Sequence, residues 1–238
     1  MIDREFIRKL ATRYHTTEFN ILREYAQHLF LSLLYLQKGS DIMLFKGGTA
    51  LRIIYGSPRF SEDLDFTVVK MSRSDIENLV QEVLVGIEKL GISVKIDEFS
   101  PTSGGYIGFL SLDILNEDIS IELNISKRTS VRKKGEAVLI SSDFIPAYNL
   151  IQLPQKELVN EKIKALLERS KPRDFFDLYF ILRSNLLPAQ QKEILSQVLD
   201  KLERQEYGFS KELKIFLPKS YQAIIKNFRA ILIKEIRK

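Results

Sequence analysis

The chain has 238 residues, 45% of them hydrophobic and 28% charged, with a net charge of +5 at neutral pH; this suits one large or two small globular domains with a real core. With no cysteine and two histidines, a disulfide framework and a thiolate metal centre are excluded and zinc chemistry is disfavoured. The N-terminal segment carries acidic residues without a continuous apolar stretch and no run approaches the roughly 20 residues of a bilayer span, so the expectation is a cytoplasmic protein without membrane association, its mild basic bias favouring polyanionic partners.

Residues 2 to about 38 carry helical periodicity. Phe6, Leu10 and Tyr14 recur at fourfold spacing, and Phe19, Leu22, Tyr25, Ala26, Leu29 and Leu33 continue an apolar stripe after a Thr16-Thr17 cap, until Gly39-Ser40 stops it. A short strand is expected over 42–45, a short helix over 48–55, and a strand rich in β-branched and aromatic residues over 64–69. An amphipathic helix follows over 74–90, capped by Ser72 or Ser74 and closed by Gly91. Three strands come next, over 92–99, 106–115 and 118–126, with Asn116-Glu117 as a tight turn between the last two.

In the last of these strands Ile119, Ile121, Leu123 and Ile125 share one face, while Ser120, Glu122, Asn124 and Ser126 share the other. Beyond Pro154 the pattern becomes helical, over 156–169, 174–182, 188–206 and 220–238. The expected organisation is a first domain over 1–150, with a helical lead-in over 1–40 and a sheet over 41–150, and a helical domain over 151–238. No repeat or low-complexity segment stands out.

Chemistry concentrates in "FKGGTALRIIYGSPRFSEDLDF", residues 45–66. On a strand, Asp63 and Asp65 point the same way, so both carboxylates can serve one pair of divalent cations. Gly47-Gly48, between a strand and a helix, lets phosphate oxygens approach bare amides at a helix N-terminus, with the Thr49 hydroxyl beside them. Separately, a D-x-D is common on strand ends and a Gly-Gly is usually a turn. Their joint order is far more specific.

That order, Gly48-Thr49, then 13 residues, then Asp63-Leu64-Asp65-Phe66, resembles the signature of the polymerase-β-like nucleotidyltransferase superfamily. Within it, "KGGTAL" with "RFSEDLDF" looks like the AbiEii/AbiGii toxin family. A second stretch, "NEKIKALLERSKPRDFFDLY" over 160–179, resembles that family's helical motif. The resemblance spans about 45–180. It implies an α+β fold, a polymerase-β-like core with a mixed sheet, N-terminal helices and a C-terminal helical domain. It also implies Mg²⁺-dependent transfer of a nucleoside monophosphate from an NTP, a tRNA 3′ end as favoured acceptor, and a cognate antitoxin partner.

The resemblance makes Asp63 and Asp65 the metal ligands and Gly47, Gly48 and Thr49 the triphosphate contacts. Lys162 and Arg169, seven apart on one helix face beside the apolar stripe Val159, Ile163 and Leu166, become nucleotide contacts, while Lys164 faces solvent. Asp174 and Asp177 would orient Lys162 or Arg173, or else start the next helix. A third carboxylate, metal ligand or base, is expected on the later strand. Glu122 is the candidate, although the family spacing places Asn124 there. His15 and His28 read as structural. Lys127-Arg128 and Arg132-Lys133-Lys134 are candidate RNA contacts or solvated loops. The other class of function open to the sequence is a non-catalytic RNA- or antitoxin-binding protein of the same fold, and transfer to a small-molecule or protein hydroxyl lies between the two.

Overall fold

The computed structural model describes residues 2–128, 134–188, 193–204 and 208–238. The chain divides into two compact units, one built from residues 1–56 and 60–153, the other from 57–59 and 154–238. The three residues Ser57–Arg59 therefore belong with the helical unit, although sequence order puts them between the Gly-Gly and the D-x-D.

The first unit begins with two helices, α1 (Arg4–Arg13) and α2 (Glu18–Leu34), the second starting at the Thr16-Thr17 cap that the sequence marks. The break at His15, with φ of +53°, leaves Thr17 to cap α2 through the Asn20 amide. A seven-stranded mixed sheet follows in the order β3-β4-β5-β2-β1-β7-β6. Its members are β1 (Met43–Lys46), β2 (Asp63–Val69), β3 (Ser93–Thr102), β4 (Gly105–Ile114), β5 (Glu117–Arg128), β6 (Glu136–Ile140) and β7 (Tyr148–Gln152). Helix α3 (Gly47–Tyr55) joins β1 to β2, and α4 (Arg73–Lys89) joins β2 to β3. A reciprocal capping box between Ser72 and Asp75 opens α4.

Two adjacent left-handed residues, Leu115 and Asn116, make the β4–β5 hairpin turn, one residue earlier than the composition suggests. Strands β6 and β7 were not anticipated. They are short, and β7 earns its place by a parallel pairing with β1 that brings Gln152 opposite Phe45, a non-local contact that local patterning does not encode.

Helix α2 packs on β5 and β7 and against α4, which packs on β3. Beneath them Ile119, Ile121, Leu123 and Ile125 of β5 are buried, as are Leu64, Phe66 and Val68 of β2. Each such side chain contributes roughly 1.5–3 kcal/mol of burial free energy. The opposite face of β5 stays polar and partly exposed at Glu122, Asn124 and Ser126.

The second unit is helical: α5 (Gln155–Arg169), α6 (Pro172–Arg183), α7 (Leu195–Glu203), α8 (Ser210–Phe216), α9 (Gln222–Lys226) and α10 (Phe228–Ile236). Its core gathers Leu166, Phe175, Phe176, Val198, Leu202, Leu213, Phe228 and Leu232. Phe228 is its hub, 5.0 Å from the Phe209 ring and 5.8 Å from that of Phe176. The expected helix over 188–206 is observed as α7, with residues 189–192 and 205–207 outside the described ones. The segment expected as one helix over 220–238 is a 3₁₀ turn followed by α9 and α10, broken at Asn227.

Candidate active site

Strand β2 places Leu64 and Phe66 in the core and leaves Asp63 and Asp65 partly exposed on the other face. Its neighbours fix what lies beside them. On the parallel side, Asp63 pairs with Glu122 and Asp65 with Asn124; on the antiparallel side, Asp65 pairs with Lys46. Directly opposed residues in a sheet share a face, so Asp63, Asp65, Glu122, Asn124 and Lys46 form one polar surface. Asn124 donates its amide to Glu122 Oε1 at 3.0 Å, tying the two candidates for the third position together.

Gly47 opens α3 with φ of +85°, and a Cβ there would lie 1.9 Å from Asp65 Oδ2. No other residue lets the carboxylate sit against the first turn of this helix. The glycine that sequence reasoning assigns to phosphate is required first by the aspartate, whose charge also suits a helix N-terminus. Gly48 is buried in the same turn. Thr49 is fully buried, and its hydroxyl donates to the Asp63 carbonyl. In this structure that hydroxyl is spent on holding β2 to α3 rather than turned toward a phosphate.

Helix α2 supplies a support that the motif reading missed. Gln27, 1% exposed, donates to the carbonyls of Ser61 and Glu62 at 2.9 and 3.3 Å. Arg23 pairs with Glu62 at 3.0 Å. The two residues before Asp63 are thus gripped from α2. Next to Arg23, Glu24 pairs with Arg52 of α3 at 2.8 Å, and the Arg52 guanidinium lies 3.4 Å from the Phe60 ring centroid. The signal was visible in the sequence: Asn20, Arg23, Glu24, Gln27 and His28 form a polar stripe at helical spacing, and all five are buried. His28 closes the stripe, with Nδ1 2.9 Å from the Tyr148 hydroxyl. Burial, then the nearby Arg52 charge, push its pKa down to about 4 against a weaker pull from Asp143, so it is neutral and structural.

An all-carboxylate donor set suits a hard cation such as Mg²⁺. Among the described residues no three acidic or histidine side chains gather to hold a metal by themselves. In magnesium chemistry one or two carboxylates commonly share the ion with substrate phosphates. Asp63 and Asp65 fit such a role, with Glu122 opposite Asp63 on the neighbouring strand.

The helical unit binds its charges differently. Asp177 is 1% exposed and accepts from Arg59 at 2.8 and 3.0 Å and from Lys162 at 2.8 Å. Burial alone would raise its pKa, but the Arg59 and Lys162 charges outweigh it and hold the group at about 2. So Asp177 orients Lys162, one of the two arrangements the motif allows. Arg59, 118 positions away, was missed because nothing in local spacing announces it. Asp174 does not reach Lys162. It accepts from Arg169 Nε and Nη2, at 2.9 and 2.7 Å, and from the Lys171 amide at 3.1 Å, which starts α6. Arg173 pairs instead with Glu212 at 3.6 Å. Lys164 is exposed and pairs with Glu168. Of the basic runs, Lys127 and Arg128 are exposed at the end of β5; Arg132 and Lys133 lie outside the described residues.

Comparison with known proteins bears on the family and the fold. The family model described as "Nucleotidyl transferase AbiEii toxin, Type IV TA system" matches residues 29–237. Two solved structures, JHP933 from Helicobacter pylori and a proposed nucleotidyltransferase from H. pylori, superpose with TM-scores of 0.68 and 0.67 at 20% and 19% identity. Each alignment covers 93% of this chain, and 92% and 94% of the respective neighbours; at that identity the likeness concerns the fold. No curated protein matches the chain.

Proposed function

The chain belongs to the AbiEii family of nucleotidyltransferase toxins of type IV toxin–antitoxin systems, and from that premise we propose that it transfers a nucleoside monophosphate from an NTP to the hydroxyl of a tRNA 3′ end. The observation that carries this reading is the shared face of Asp63, Asp65 and Glu122, with Gly47 admitting the Asp65 carboxylate to the start of α3. Mg²⁺, held by Asp63 and Asp65 with Glu122 beside them, would polarise the phosphoryl oxygens and offset the charge that develops there.

The chain's own groups then have distinct tasks. The amides of the first turn of α3, from Gly47 and Gly48, would meet the triphosphate. Thr49 fixes the strand that carries the aspartates, and Gln27 and Arg23 hold its approach. The acceptor oxygen bonds to the α-phosphorus as the bond to the bridging oxygen of the β-phosphate breaks, and pyrophosphate leaves. Glu122 is proposed to take the hydroxyl proton. Lys162, steadied by Asp177 within the helical unit, and Arg169 are proposed as contacts for nucleotide phosphates. A cognate antitoxin is the expected protein partner. No helix among the described residues is long and apolar enough to cross a membrane, and we place the activity in the cytoplasm.

The test incubates the pure protein with each α-labelled NTP in turn, Mg²⁺ and total RNA. Label is expected in RNA of tRNA size with one NTP preferred, and none is expected with Asp65→Asn. Wild-type transfer by that variant, or no transfer by the folded wild type, overturns the reading.

A further inference from the structure

Lys46 sits immediately before the Gly-Gly and is 9% exposed. It lies opposite Asp65 across the β1–β2 pair, so its side chain rises on the carboxylate face. Its Nζ approaches Ser126 Oγ at 3.4 Å. Ser126 belongs to β5, the strand on the far side of β2, where it pairs with Thr67. To reach from β1 to a residue of β5, the lysine must cross over β2. The crossing falls between the row of Asp65 and the row of Thr67. A cation is thereby set beside Asp65, on the side away from Asp63 and Glu122, and nothing in the motif reading accounts for it. Thr67 is fully buried on this same face, and its hydroxyl has no hydrogen-bond partner among the described residues.

We infer that Lys46 is the resident counter-cation of the active site: it penalises a divalent ion that arrives alone and favours one that arrives with a triphosphate. The inference rests on the reading of Asp63 and Asp65 as metal ligands. A positive charge beside a metal-binding carboxylate repels a bare divalent cation, and the same charge attracts the triphosphate that would accompany it. Metal and nucleotide are then coupled through one residue, and each binds better in the other's presence. When the metal takes Asp65, the unpartnered Thr67 hydroxyl offers the ammonium an acceptor one row back along the same strand. The outcome is a site that loads metal and nucleotide together.

This role has a signature that a structural lysine lacks, because its removal moves two affinities in opposite directions. Lys46→Met is expected to bind Mn²⁺ alone roughly tenfold tighter, by electron paramagnetic resonance, and Mg²⁺–tripolyphosphate roughly tenfold more weakly, by calorimetry. Lys46→Arg, which keeps the charge, is expected to stay near wild type in both titrations. Should the methionine variant not fold, Lys46→Gln reads the same pair of affinities. Two affinities that move together, or not at all, overturn the inference while leaving the aspartates as ligands. If the wild type binds no Mn²⁺, or Asp65→Asn binds it equally well, the reading of the carboxylates fails and the inference fails with it.

Discussion

In the helical unit Asp177 is fully buried, and its two oxygens are consumed by Arg59 and Lys162. In the sheet unit Asp63 and Asp65 stay partly exposed on a strand face beside Glu122, Asn124 and Lys46. Both units therefore set aspartates among cations, to opposite ends. One carboxylate is buried and organises its own unit; the pair on β2 stays partly exposed on the strand face. Burial decides between these uses. A buried carboxylate must be satisfied by the protein itself, while a half-exposed one can exchange water for metal or phosphate.

The largest expected effects come from breaking that contrast at both ends. Asp177→Ala leaves the Arg59 and Lys162 charges without their partner, and should cost about 3–5 kcal/mol in denaturant unfolding. Asp65→Asn should leave stability within about 1 kcal/mol of wild type and lower transfer roughly thousandfold. If the two variants lose stability alike, the distinction between a buried carboxylate and a partly exposed one is wrong. Lys162→Ala belongs between them. Sequence reasoning expects almost no change in its melting temperature, but the pairing with buried Asp177 implies a measurable loss, moderated because Arg59 remains.

Gly47→Ala comes next, with Gly56→Ala as its control. Both glycines have positive φ, +85° and +76°, so either alanine should cost on the order of 1–2 kcal/mol in backbone strain. Only at Gly47 does the new Cβ meet a functional group, Asp65 Oδ2 at 1.9 Å. Transfer should fall about a hundredfold in Gly47→Ala, as expected for misplacement of a reacting group by about an ångström. It should be near wild type in Gly56→Ala. Equal activities would show that the close approach of Gly47 and Asp65 has no catalytic weight.

How far the sequence carries is clear from these same residues. The shared face of Asp63 and Asp65 was legible, because a period of two dictates it; the close approach of Asp65 to Gly47 was not, since the glycine pair reads first as a phosphate turn. The polar face of β5 was legible for the same reason. Arg59 and Gln27 were not, since their partners lie far away along the chain and a buried polar group is recognised only once its partner is known. Strands β6 and β7 escaped because pairing with β1, rather than their own composition, makes them strands. Thr49 shows the converse: a hydroxyl in the right motif position was assigned to phosphate, and the fold uses it to hold Asp63.

Acid should separate the two units. His28 is held neutral, its pKa lowered to about 4 from an ordinary 6.5. The unfolded chain therefore takes up a proton first, and the sheet unit loses stability as pH falls from 6.5 towards 4, by about 3 kcal/mol in all. Asp177, lowered from 3.8 to about 2, contributes stability that is complete above pH 4 and lost between 4 and 2, by about 2 kcal/mol. Hydrogen exchange followed residue by residue at pH 7, 5 and 3 would show protection falling in the sheet unit before the helical one. The reverse order would mean that His28 is not the controlling group.

The smallest effect sharpens the carboxylate side of the comparison. Glu122 faces Asp63 and Asn124 faces Asp65, so register alone gives each a claim to the third position. Their chemistry separates them: a carboxylate can take a proton at neutral pH and an amide cannot. Glu122→Gln should lower turnover about tenfold while triphosphate binding holds, since Asp63, Asp65 and the first turn of α3 are untouched. Asn124→Ala removes the 3.0 Å hydrogen bond to Glu122 Oε1 but leaves the carboxylate, so its effect should be weaker and in the same direction. If Glu122→Gln is fully active and Asn124→Ala is dead, the amide occupies the third position. The proton would then leave by another route, with Asp63 and Asp65 alone supplying carboxylates to the site.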